Sequence, residues 1–466
     1  MTLKENIQSK IPLTIGETLA LATEYRARVV DVVLMESELR LNMPKDEILT
    51  RVMEEYSHNL KALEIGLVDG ESILLGTVAA QLNQSKGKCF SDPFLDNALL
   101  YTLAAQVGNH SIGLRPCAGT GDSCPYAGFV KAMITEGIDS TIIAEVAALI
   151  LKIGGIFRVG KVTTGCNMEG FGAGAACIAA ATVALEGGTP EQMEKAMVLA
   201  ISPTIANPCT PRVLVPALCT THVGGAVLIG MYSARLCMLV NMTVNVPIDV
   251  MIAMASEVHI VSAKTVVPTV VEYMEPFFKR KANVESLISD EVISAENKQV
   301  ESTLKKAKDI AKKLSGETKS ILETYGEAVV GGSSQAVGSP TNAARIAHEL
   351  AKGKIQKITI ELYPELFARR AINVPGVLMG AVFGASTSDY TMYNEAVDKV
   401  KEMGIAVEIK ENKEYGIQKI TVETDEMVCM VDTLNRGGGR LVLRNAAPSL
   451  EEATIAATKL GIELVS

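Results

Sequence analysis

The spacing of apolar residues changes once along this chain of 466 residues, and the change limits the folds that it can adopt. From residue 15 to about residue 275, apolar residues recur at the three- and four-residue spacing of helices, with breaks at Gly and Pro. From residue 326 onward, short alternating runs typical of half-buried strands are separated by helical runs. The two patterns predict two different cores in one chain.

The sequence therefore predicts a multidomain protein with α and α/β parts. An all-α domain is expected over residues 1–275, and a charged helical linker over residues 276–325. A smaller α/β domain is expected over residues 326–466. The length of the chain is sufficient for two or three domains, each with its own core.

Within the first domain, two early helices are predicted over residues 18–35 and 46–67. The later helical pattern is interrupted at Gly108, 113–125, 154–165, 187–190, 203–216 and Pro247. All but the last of these breaks contain polar or cysteine residues. A helical domain whose breaks converge on one pocket is the simplest arrangement that accounts for them.

The C-terminal domain shows four alternating runs, at 356–362, 405–410, 418–424 and 440–444, and helical runs at 340–352, 391–403 and 449–460. Ser339-Pro340 and Pro448-Ser449 are typical helix starts. Gly353, Gly404 and Gly461 stand where helices end. The loop 435–440 is interpreted as a hairpin turn rather than a phosphate-binding loop.

Composition narrows the class of partner. The net charge is -9, and no dense Lys/Arg stripe is interleaved with aromatic residues, so nucleic acid is not expected. Apolar stretches at 140–156, 171–185 and 213–246 are interrupted by charged residues, and the chain has no Trp, so membrane insertion is not expected. Nine cysteines and a polar N-terminus predict a cytoplasmic protein with free thiols.

Three cysteines stand at turns within apolar sequence. Cys166 and Cys209 lie beside Gly or Pro, and Cys219 precedes a Thr-Thr-His sequence. Three thiolates would leave one iron of a four-iron cluster open to act as a Lewis acid. Because no CxxC pair is present, buried structural thiols remain the alternative.

Residues 154–240 resemble the α domain of the iron–sulfur-dependent L-serine dehydratases. The similar runs are 165–169, 185–192, 209–211 and 215–219. The resemblance implies that Cys166, Cys209 and Cys219 hold a [4Fe–4S] cluster. Residues 115–125 are similar to the family's Ala-Pro-Thr loop, which implies substrate contacts from Gly119 and Thr120.

Residues 330–338 resemble the substrate loop of the dehydratase β domain, which is itself similar to the allosteric substrate-binding domain of phosphoglycerate dehydrogenases. This implies that Ser333, Ser334, Gln335 and Gly338 bind the substrate. The C-terminal section is also similar to the α/β portion of L-cysteine desulfidases. In those relatives this domain precedes the cluster domain or forms a separate subunit, so the order here is permuted.

Gln335 stands where the family's loop has a histidine, and a neutral amide cannot accept a proton at pH 7. The candidate general bases are therefore His222 and His110, with Asp122 as a third, although either histidine could instead be a core residue. Other cysteines have different expectations: Cys177 and Cys237 are expected in the core, whereas Cys117 and Cys124 are spare candidate ligands.

The resulting expectation is a homo-oligomeric lyase that eliminates water and ammonia from L-serine, or a close hydroxy-amino acid, to give pyruvate. One alternative is an L-cysteine desulfidase that also releases sulfide. Another is a catalytically silent, cluster-bearing sensor of a small amino or hydroxy acid.

Overall fold

The computed structural model describes residues 1–115, 123–162, 168, 171–208, 215–323 and 326–465. The chain divides into two compact units, Met1–Lys312 and Lys313–Ser466. The first is helical, and the second is a smaller α/β unit, so the predicted fold class is confirmed. Each unit has its own buried core.

The first unit, unit 1, is built from helices, which start in several places with capping boxes such as Thr14 with Glu17 and Thr189 with Gln192. Its helices are α1 (Leu3–Lys10), α2 (Ile15–Glu24), α3 (Val29–Leu41), α4 (Lys45–Val68), α5 (Val78–Gln84), α6 (Pro93–Ile112), α7 (Cys124–Thr135), α8 (Ser140–Gly160), α9 (Gly172–Leu185), α10 (Pro190–Ile201), α11 (Leu218–Leu239), α12 (Ile248–Met274), α13 (Ala282–Glu285) and α14 (Asp290–Gly316).

The structure corrects three sequence predictions in this unit. The helix predicted over residues 18–35 is two helices, α2 and α3, because Arg26 between them has a φ of 52°. Gly108 is not a break but lies inside α6, and α8 continues through Gly154 to Gly160. At Gly108 the reason is close packing, because a Cβ atom there would overlap the backbone carbonyl of Ala62.

Close helix contacts of this kind recur through unit 1. A Cβ atom at Gly66 of α4 would overlap the Ala104 carbonyl of α6, and one at Gly128 of α7 would overlap Thr102. Helix α9 is almost entirely buried and consists mostly of Ala and Gly. Small residues therefore allow the backbones of α4, α6, α7, α9 and α11 to pack closely around one interior.

Among the described residues, two helices of unit 1 are long and apolar enough to span a membrane by length and composition, which is weak evidence for a membrane span. In α11 the apolar window is 56% buried, as in a core helix. In Ile248–Phe277, which includes α12, the window is 22% buried, and Val250 and Val261 are exposed.

The second unit, unit 2, starts with the end of α14 and contains, within its described residues, a 3₁₀ turn (Val330–Gly332), a π-helical turn (Ser334–Gly338), five further α-helices and a five-stranded sheet, with helices and strands alternating along the chain. Its remaining helices are α15 (Ser339–Leu350), α16 (Pro364–Ala368), α17 (Arg370–Phe383), α18 (Tyr390–Glu402) and α19 (Leu450–Lys459). Its strands are β1 (Ile355–Leu362), β2 (Ala406–Glu411), β3 (Ile417–Thr424), β4 (Val428–Asn435) and β5 (Leu441–Ala447).

The sheet order is β2-β1-β3-β4-β5, in which only β1 and β2 pair in parallel. The four predicted strands are present, but β4 and the helices α16 and α17 were missed. Ser449 caps α19 by accepting the N–H of Glu452, as predicted, whereas Ser339 is the first residue of α15 and does not cap it. The loop between β4 and β5 is a hairpin, as predicted.

Candidate functional site

The N-terminal parts of α7, α9 and α11 lie together in unit 1. A Cβ atom built on Gly174 of α9 would lie 3.1 Å from the Pro125 side chain of α7 and 3.0 Å from the Ala226 Cβ of α11. The ring of Phe171, just before α9, packs against the ring of His222 in α11, with the centroids 5.2 Å apart. We call the starts of these three helices, together with Phe171, the three-helix face.

The helix ends that flank three of the predicted breaks therefore lie together. The stretches 116–122, 163–167 with 169–170, and 209–214, which lead into these helix starts, are outside the described residues. Five predicted site residues and the spare candidate Cys117 belong to them. The five predicted site residues in these stretches are Gly119, Thr120, Asp122, Cys166 and Cys209.

Cys219, in the first turn of α11, is the predicted cysteine ligand that lies among the described residues. It is 1% exposed and belongs to a small buried cluster that also contains Cys124, in the first turn of α7. Among the described residues, no group of three or more His, Cys, Asp or Glu side chains is placed to hold a metal ion. The described part of the face therefore contributes one predicted ligand and one additional thiol.

The three-helix face has an electrostatic preference. The first turn of a helix carries unsatisfied N–H groups and a partial positive charge, which favours anions and lowers the cost of forming a thiolate nearby. Cys124 and Cys219 both lie in such first turns. The first turns of α7 and α11 therefore favour negative charge near Cys124 and Cys219.

His222 lies one turn after Cys219 on α11. Its side chain is 3% exposed, and Phe171 covers one part of its ring. Its burial, to which the Phe171 ring contributes, limits the access of water to the imidazole. The structure thus places this candidate base at the three-helix face itself.

His110 connects to the same face through hydrogen bonds. Its Nδ1 contacts the Ser72 Oγ, and its Nε2 lies 3.4 Å from the Gln106 amide nitrogen. On the other side of that amide, Gln106 Oε1 accepts the Cys124 thiol at 2.7 Å. Burial lowers the pKa of His110 below its ordinary value, so the ring is neutral at pH 7.

Next to Ser72, an open groove of about 440 Å³ leads to the start of α11. The Leu74 carbonyl accepts the N–H of Ala217, whose φ of 70° is unusual for a residue with a side chain. Lys279 and Lys281 line the groove opposite Glu71. The groove therefore has one acidic and two basic side chains in its lining, close to the start of α11.

Side-chain hydrogen bonds hold the backbone of the predicted substrate loop of unit 2. Ser333 Oγ accepts the N–H of Ala336 at 3.1 Å, and the Asn435 amide donates to the Gln335 carbonyl at 2.8 Å. Ser334 and Gln335 are exposed, whereas Gly338 is buried beside Gly439. A substrate-binding role for Ser333, Ser334, Gln335 and Gly338 stays a prediction.

Two residues that contact this site, Ser72 and Gln106, are not among the residues selected from the sequence. Gln106 and His110 are four residues apart on one helix, which could have indicated that they share a face. Nothing in the local sequence indicates that Ser72 and Cys124 would join them, because those contacts are long-range. The core positions predicted for Cys177 and Cys237 are confirmed, at 0% and 4% exposure.

Comparison of the chain with models of known protein families and with curated proteins finds no match. The assignment of a function therefore depends on the residues and their geometry.

Proposed function

We propose that this protein is a [4Fe–4S]-dependent lyase that eliminates water and ammonia from L-serine, or a close hydroxy-amino acid, to give pyruvate and ammonia. The observation that carries the proposal is the three-helix face. It brings together the N-terminal parts of three helices, the buried thiols of Cys124 and Cys219, and the histidine that follows Cys219 by one turn.

The one described ligand candidate, Cys219, has surroundings that would suit such a cluster. Cys219 is a buried thiol at a helix N-terminus, where a thiolate is favoured. Cys166 and Cys209 lie outside the described residues, so their part in the cluster is proposed from the resemblance to the dehydratase α domain. Cys166, Cys209 and Cys219 would hold the cluster, which would supply a Lewis-acidic iron to stabilise the departing hydroxyl.

The chain's own residues would carry out the rest of the elimination. A base must take the Cα proton, and His222 is the proposed base because it lies at the face, where its ring contacts that of Phe171. Neutral His110 is the second candidate, because its pKa is lowered by burial and it connects to Cys124 through Gln106. The enamine that leaves would then tautomerise and hydrolyse to pyruvate.

Two cysteines of α11 provide a matched test. Cys219→Ser should abolish the visible iron–sulfur absorption of anaerobically reconstituted protein and reduce the iron content from about four per chain. Cys237→Ser changes a buried thiol of the same helix and should leave both unchanged. Both proteins would be measured by absorption spectroscopy and iron analysis, and then for pyruvate formation from L-serine and from L-cysteine.

Equal loss of absorption in the two variants would show that the wrong thiol is assigned. Pyruvate from L-cysteine with sulfide, and none from L-serine, would replace the proposed substrate. An intact cluster without pyruvate from either amino acid would contradict the lyase and favour a sensor.

A further inference from the structure

Helix α12 packs one side against unit 1 and leaves the opposite side open to solvent. On the packed side His259 is fully buried, and the Ser262 hydroxyl donates to the Ala206 carbonyl at 3.2 Å. Opposite His259, exposed residues recur in alternating steps of four and three, so they form one line along the helix. We call this line the outer α12 face, and its members are Val250, Met254, Glu257, Val261, Lys264 and Pro268.

The outer α12 face exposes large apolar side chains. Val250 and Val261 are 53% and 58% exposed, and Met254 on the same line is also exposed. An apolar line on a helix normally packs against something, and a continuous exposed one marks a surface that binds another molecule. The face therefore has the character of a contact surface.

The two charged residues of this face differ from the other two charged residues of α12. At the ends of the helix, Asp249 accepts the Thr14 hydroxyl at 2.7 Å, and Glu272 accepts the Lys306 ammonium group at 2.8 Å. In the middle, Glu257 and Lys264 are exposed, and neither forms an ion pair within the described part of the chain. The face thus presents one negative and one positive charge, both available to a binding partner.

The positions of these two charges suit a second copy of the same face. Glu257 and Lys264 are seven residues apart, or about 10.5 Å along the helix axis, and their midpoint lies beside Val261. A two-fold axis through that midpoint, perpendicular to the helix, would bring Glu257 opposite the partner's Lys264 and Lys264 opposite the partner's Glu257. A parallel arrangement would instead oppose like charges.

We infer that the outer α12 face is the contact between two copies of this chain, with α12 antiparallel to its counterpart. A two-fold contact uses the same surface on both copies, so that surface must complement itself, as the opposite charges of this face do. Val261 would lie near the axis and pack close to the partner's Val261. The inference does not depend on the proposed lyase activity.

The same two charges argue against a lipid surface as the occupant of this face. In a helix that lies on a membrane, the charged side chains occupy the polar side and leave the apolar side free of them. Here Glu257 and Lys264 lie on the apolar line itself, on either side of Val261. Insertion into lipid would remove both charges from water without giving either an opposite charge.

Sedimentation equilibrium of the full-length protein would test the inference, and we expect twice the mass of one chain. Glu257→Lys and Lys264→Glu should each raise the dissociation constant of the dimer by at least about tenfold, because each places like charges opposite one another. The double variant that exchanges both charges should bring the constant back to within about threefold of its original value. Val261→Glu, which places two carboxylates near the axis, should dissociate the dimer.

Lys61→Glu is the matched control. Lys61 is an exposed lysine of α4 that forms no ion pair with the described residues, so its charge reversal should leave the dissociation constant unchanged. All of the substituted residues are exposed, and circular dichroism would establish that each variant is folded. Recovery in the double variant would in addition show that the single substitutions act on association and not on folding.

A monomer at every protein concentration, or a dimer that none of the three single substitutions in the face weakens, would overturn the inference. Dissociated single variants without recovery in the double variant would overturn the antiparallel arrangement. Cosedimentation of a monomer with phosphatidylcholine–phosphatidylserine vesicles, lost in Val261→Glu, would assign the face to a membrane instead.

Discussion

His222 and His110 differ in how directly they could approach the proton of a bound substrate. His222 is enclosed at the three-helix face and contacts Phe171. His110 reaches the face only through Gln106, and its Nδ1 is engaged by Ser72. In the proposed elimination a base must approach the substrate proton directly, and for that reason we propose His222 rather than His110.

Replacing His222 with Asn should therefore lower turnover of L-serine by about a hundredfold while the iron–sulfur absorption remains. The same substitution at His348, which lies in unit 2 and contacts the Ala381 carbonyl, should leave turnover unchanged. Initial rates and absorption spectra of the anaerobic proteins would provide the comparison.

Normal turnover in His222→Asn together with a large loss in His110→Asn would transfer the role to His110. The dependence of kcat/KM on pH would then reflect the ionisation of His110. Because burial lowers the pKa of His110 below about 6.5, its ring stays neutral and able to accept a proton as the pH falls to that value. The acid limb of kcat/KM would lie below pH 6.5, and activity would be lost only as the pH falls further.

At the scale of elements, glycines set the distances between helices in unit 1. Gly66 and Gly108 bring α4 and α6 together so closely that either Cβ atom would overlap a carbonyl of the other helix. This packing positions α6, which carries Gln106 and His110, against its neighbours. A glycine inside a helix otherwise costs about 1 kcal/mol relative to alanine, so its presence in a tightly packed pair has a steric reason.

Two glycine-to-alanine substitutions should therefore have opposite effects. Gly108→Ala should lower the free energy of unfolding of unit 1 by about 1–3 kcal/mol, because the methyl group displaces the α4 backbone. Gly155→Ala, in α8, meets no atom within 4 Å and should raise it by up to about 1 kcal/mol. Denaturant unfolding followed by circular dichroism would measure both, and stabilisation by Gly108→Ala would contradict the packing argument.

The elements show where local sequence is informative. Strands β1, β2, β3 and β5 and the start of α19 could be predicted because alternation and capping are local patterns. The interruption at Arg26 and the continuity of α6 through Gly108 could not, because a left-handed residue and a close helix contact depend on tertiary structure. Strand β4 was missed although Cys429, Val431 and Thr433 alternate inward along it.

In the candidate site, too, local features could be predicted from the sequence and long-range contacts could not. The cysteines and histidines could be selected from the sequence because their chemistry is rare and recognisable. The contacts from Ser72 to His110 and from Gln106 to Cys124 could not be predicted, since the two pairs are 38 and 18 residues apart in the sequence.

For the whole molecule, the change in apolar spacing along the sequence corresponds to two cores. Ile150 in α8 belongs to the core of unit 1, and Ile358 in β1 belongs to the core of unit 2. Both side chains are 0% exposed. Truncating a fully buried isoleucine to alanine removes the same atoms in each unit and typically costs about 2–5 kcal/mol.

Ile150→Ala and Ile358→Ala form a reciprocal pair on the full-length chain. Each should speed amide hydrogen exchange in the unit that contains it and leave the slowest-exchanging amides of the other unit unchanged, because each core is destabilised separately. Mass spectrometry of peptides from both units would report the two cores in one experiment. Faster exchange throughout the chain in both variants would show that the two cores unfold as one cooperative unit, contrary to the expectation from their separate buried clusters.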